Sequence, residues 1–93
     1  MDNSKTAEFV NGMWDESIIP EIAEYIKVPN KSPAFDPDWE KHGHMETAVQ
    51  MLEEWSKTQP IDGMTVEIVR IEGRTPLLFI DIPGASDDVV VLY

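Results

Sequence analysis

The sequence predicts an α/β chain in the order ααβββ, and three observations predict it. Apolar residues recur at three- and four-residue steps through the first half of the chain. Short runs rich in β-branched residues fill the second half, separated by Gly- and Pro-bearing turns. The full length of 93 residues allows one small domain at most, here a single partial domain over residues 1–93.

The first helix is expected over about residues 4–27. Phe9, Val10, Met13, Trp14, Ile18, Ile19, Ile22, Ala23 and Ile26 lie on one helical face. Asn11-Gly12 and Pro20 are its weak points. Asn-Gly signals a hairpin only between alternating strands, and its flanks here have helical period. Pro20 removes a donor and crowds the preceding turn, so a kink is expected there. The stretch from Val28 to Pro37 carries three prolines and is extended or turned.

A second helix is expected over about 37–57, with Asp36 as N-cap and Pro37 at the first helical position. Its apolar stripe is Met45, Ala48, Val49, Leu52 and Trp55, facing the sheet. Gly43 weakens its first turns and places the start anywhere up to His44. Strands are expected over about 64–71 and 77–82, joined by a turn at Glu72-Gly73-Arg74 into an antiparallel hairpin. A third, over 89–93, is a continuous apolar run (Val89-Val90-Val91-Leu92-Tyr93) of the kind buried on both faces of a covered sheet.

Seven basic against eighteen acidic residues give a net charge of -11. That charge repels phosphate backbones and anionic membranes, so neither nucleic acid nor membrane is an expected partner. The absence of cysteine removes disulfides and thiolate metal sites. The start, Met1-Asp2-Asn3-Ser4, has neither the positive n-region nor the apolar run of a signal peptide. The cytoplasm is the expected compartment.

His42-Gly43-His44 is the one place where a metal is conceivable. On a continuous helix, His42 and His44 point about 200° apart and cannot share an ion. Glu40 with His44, or His42 with Glu46, have the four-residue spacing that can, but two ligands fall short of the roughly four of a structural zinc site. No Gly-x-Ser-x-Gly elbow and no phosphate-binding glycine loop occurs. No catalytic, metal or cofactor-binding residue is assigned.

The stretch Ile19-Pro20-Glu21 with Tyr25 to Trp39, then His42-Gly43-His44-Met45, Ala48-Val49 and Trp55, resembles the N-terminal stretch of a known family. Gly63 to Glu67, Gly73 to Leu78 and Asp87 to Tyr93 continue the likeness in the same order. The family is the aminoacylase/carboxypeptidase/dipeptidase superfamily of zinc-dependent peptidases, in its acetylornithine deacetylase-like form. The resemblance implies a piece of a three-layer α/β/α zinc exopeptidase domain. It also implies that a Gly-His-x-Asp motif with the first zinc ligand follows the strand at 89–93. Zinc is then a cofactor of the full-length parent and none is expected in this chain, whose partner is the rest of that polypeptide.

Two functional readings follow. The chain is an N-terminal scaffold of a metallopeptidase or amidohydrolase acting on peptides or N-acyl amino acids, inactive alone. Alternatively, it is a self-contained acidic interaction module that presents the 29–38 loop or a strand edge. The family arrangement implies a missing strand between the second and third. Residues 89–93 are therefore expected to pair beside 77–82, or with a second copy in a homodimer.

Overall fold

The structure, a computed structural model, describes residues 1–93. It is mixed helix and strand, compatible with an α/β fragment, and divides into two compact units, residues 1–48 and 49–93.

The first unit opens with helix α1 (Asn3–Met13). Its N-cap is Asp2, whose carboxylate accepts from the Ser4 and Lys5 backbone N–H groups at 2.9 and 3.2 Å. Two orphan donors of the first turn are thereby satisfied. The helix continues without a break through a π segment (Trp14–Ile18) into helix α2 (Ile19–Tyr25). The kink expected at Pro20 is expressed as this widened turn. Proline lacks the N–H that would bond four residues back, and its ring crowds that carbonyl. A π turn lengthens the ladder instead, and the Ile19 N–H reaches Trp14 O, five residues back. α2 ends at Tyr25, two residues short of the expected Lys27, and a Lys27–Glu24 ion pair at 2.6 Å follows it on the surface.

The expected second helix is two helices. α3 (Trp39–His42) and α4 (His44–Lys57) are separated by Gly43 at φ 73°, a left-handed conformation that glycine adopts without a Cβ clash. Gly43 serves both neighbours. Its N–H bonds Trp39 O, and its carbonyl accepts from the Thr47 N–H and hydroxyl. The Asp36 carbonyl accepts from the Trp39 N–H, so the turn begins where the cap was expected, but regular helix starts only at Trp39.

Along α4 the buried line runs through Ala48, Val49 and Ser56. Leu52, expected on the apolar stripe, is 38% exposed and lies outside the buried line. The Ser56 hydroxyl donates to Leu52 O at 2.7 Å, the reason a polar residue is tolerated in the buried line. α4 ends on Trp55 O, which accepts from the Thr58 hydroxyl and the Gln59 amide.

In the second unit, β1 (Thr65–Val69) and β2 (Leu77–Asp81) form the expected antiparallel hairpin, from Thr65 opposite Asp81 to Val69 opposite Leu77. Gly73 takes a positive φ in the connecting turn, which the Arg74 N–H closes onto Ile71 O. Gly63 and Pro83 continue the same register, and a Cβ on Gly63 would lie 2.9 Å from the Pro83 ring. Proline has no N–H to give the ladder, so β2 stops at Asp81.

The third strand expected over 89–93 is not formed. Residues 89–93 are irregular and 82% or more exposed. A strand exists only through its partners, and the sheet has the two strands of the hairpin alone. Within residues 49–93 the closest backbone approach between elements is β1 against β2.

Candidate functional site

The chemistry-bearing groups of the first unit gather around Gly43. The turn at 36–38 brings the Asp36 carboxylate to His42 Nδ1 at 2.8 Å. The Asp36 side chain is largely shielded while the imidazole is half exposed. The hydrogen bond from His42 holds the Asp36 carboxyl below its ordinary value, and the Asp38 backbone N–H adds to this. Conversely, the hydrogen bond to Asp36 raises His42, and its negative charge raises it further. Asp38 is engaged separately by Lys41 at 3.2 Å.

The break at Gly43 overturns the expectation that His42 and His44 diverge. With α3 and α4 meeting at a left-handed residue, the two rings lie 6.0 Å apart between centroids and are tilted by 37°. No cluster of three or more His, Asp or Glu side chains is arranged to hold a metal ion.

The pair can fix the Pro-rich loop to the end of α3 and can carry a proton on a half-exposed imidazole. The spacing of six residues between Asp36 and His42 matches no helical period, which is why the sequence did not reveal the contact. Assigning the Asp36 side chain to a helix cap concealed it further. A glycine between two histidines was the available signal that they are not on one continuous helix.

Compared with known proteins, the chain matches no family model and no curated protein sequence.

Proposed function

We propose that this chain is a scaffold segment of a zinc-dependent peptidase or amidohydrolase, and that zinc and the catalytic groups belong to other parts of that enzyme. The resemblance carried by Ile19-Pro20-Glu21, Tyr25 to Trp39, His42 to Met45, Ala48-Val49, Trp55, Gly63 to Glu67, Gly73 to Leu78 and Asp87 to Tyr93 is the starting point. The observation that supports it most is the unburied apolar surface. No large side chain is fully buried, while Phe9, Trp14, Ile22 and Ile26 in the first unit are exposed, as are Leu77, Phe79, Ile82 and all of Val89–Tyr93 in the second. Apolar surface on this scale marks a contact with further protein. The Asp36–His42–His44 set offers fewer ligands than a zinc site requires, so the proposal assigns it no metal.

The test uses an antibody raised against residues 1–93 on the source cells. A polypeptide well above 10.6 kDa that co-purifies with zinc and hydrolyses dipeptides or N-acyl amino acids is the expected result. A band at 10.6 kDa without zinc or hydrolysis overturns it and favours the acidic interaction module.

A further inference from the structure

One groove, of about 460 Å³, runs along a single face of the N-terminal helix, lined by Lys5, Glu8, Phe9, Gly12, Met13 and Glu16. Gly12 leaves a gap in that lining, where an added Cβ would meet nothing within 4 Å. Phe9, one turn earlier, stands 68% exposed beside that notch.

The order of these residues is what gives the groove meaning. Two copies of the face laid antiparallel, centred midway between Phe9 and Gly12, place groups complementary in size and in charge opposite each other in two of its three pairs. Phe9 of one copy meets Gly12 of the other, the largest side chain of the face against the smallest. Lys5 meets Glu16, and neither makes an ion pair within its own chain. Glu8 meets Met13, whose flexible thioether side chain adapts to the stem of the carboxylate. A two-fold interface requires such a self-complementary patch.

We propose that this face pairs with the same face of a second copy, as an antiparallel helix dimer in which Phe9 fills the Gly12 notch. Absence of a side chain at Gly12 lets the helix backbones approach closely and accepts the ring as a ridge enters a groove. Each dimer carries two Lys5–Glu16 contacts, which fix the antiparallel register and offset part of the repulsion between two chains of net charge -11. Three turns of helix make a small interface, so the association is weak and concentration-dependent. The proposal does not rest on the peptidase reading, because its readout is self-association alone.

Sedimentation equilibrium of the 93-residue chain tests it, with helicity followed by circular dichroism. The wild-type chain is expected to shift toward twice its 10.6 kDa mass as concentration rises. Lys5→Glu alone and Glu16→Lys alone each place like charges in register and weaken association by about tenfold or more. Mixed one to one, those two variants restore both contacts and form a heterodimer. Gly12→Leu fills the notch and abolishes the dimer, while helicity is kept or raised because glycine is the poorer helix former. A chain that stays monomeric at every concentration overturns the proposal. So does association that Lys5→Glu leaves unchanged, since the contact would then lie elsewhere, for instance at Val89–Tyr93.

Discussion

At the scale of single residues, the Asp36–His42 contact gives the chain a defined response to pH. His42 is raised above its ordinary 6.5, so its contribution is complete below that value and is lost as pH rises through the folded-state value. Asp36 is lowered from 3.8, so its contribution is present above that value and is lost as pH falls through its own lowered value. The clasp is therefore tightest between these limits, in mildly acidic solution. Titration of the His42 ring protons by NMR should give a midpoint above 6.5, and Asp36→Asn should return it toward the ordinary value. An unchanged midpoint in that variant would show that the pair does not form. Asp2 makes a separate contribution at the other end of the unit. Replacing it by alanine removes both cap bonds and should cost the first helix about 1 kcal/mol, read as lost helicity at its first turn.

At the scale of elements, two residues that interrupt helices set the architecture of the first unit. Pro20 is accommodated by the π turn at Trp14–Ile18. Pro20→Ala should let a regular ladder form there and stabilise the helix by about 1 kcal/mol, part of the roughly 3 kcal/mol that an interior proline costs. Faster-exchanging amides over residues 14–18 in wild type than in the variant would confirm it; equal protection would not. Gly43, at φ 73°, is the second interruption, and Gly43→Ala should cost about 1 kcal/mol through left-handed strain in a thermal melt. These elements also mark what was legible in the sequence. The β1–β2 hairpin was, because alternation and the Glu72-Gly73-Arg74 turn are local signals. The long first helix was, because its period is local too. The π turn was legible only as a weak point, since sequence names the residue that breaks a ladder but not how the backbone absorbs the break. Val89–Tyr93 misled for the complementary reason. Its apolar, β-branched composition states a capacity for strand, and whether a strand forms depends on a partner that no local pattern encodes. The candidate site was least legible, because Asp36 and His42 meet through a turn and not through a period.

At the scale of the whole molecule, the balance between buried and exposed apolar groups governs behaviour in solution. Ala48 and Val49 are the only buried hydrophobic residues, and both are small. Leu52, at 38% exposure, cannot bring the roughly 2–5 kcal/mol that a fully buried leucine loses on truncation to alanine, so Leu52→Ala should cost less than that range. With so few buried apolar side chains the chain has little to make its unfolding one cooperative event, as two-state behaviour requires. The expected result for the chain alone is a broad thermal transition in which probes disagree. Far-UV circular dichroism, dominated by the helices of residues 3–57, should not follow the same curve as amide exchange in the hairpin at 65–81. The exposed apolar residues of α1, α2 and 89–93 should bind a hydrophobic dye before any heating. If a longer parent covers those surfaces, the same residues in that protein should melt sharply and bind no dye. Coincident, cooperative transitions for the 93-residue chain, with no dye bound, would show that its core is sufficient by itself and would remove the main support for the scaffold proposal.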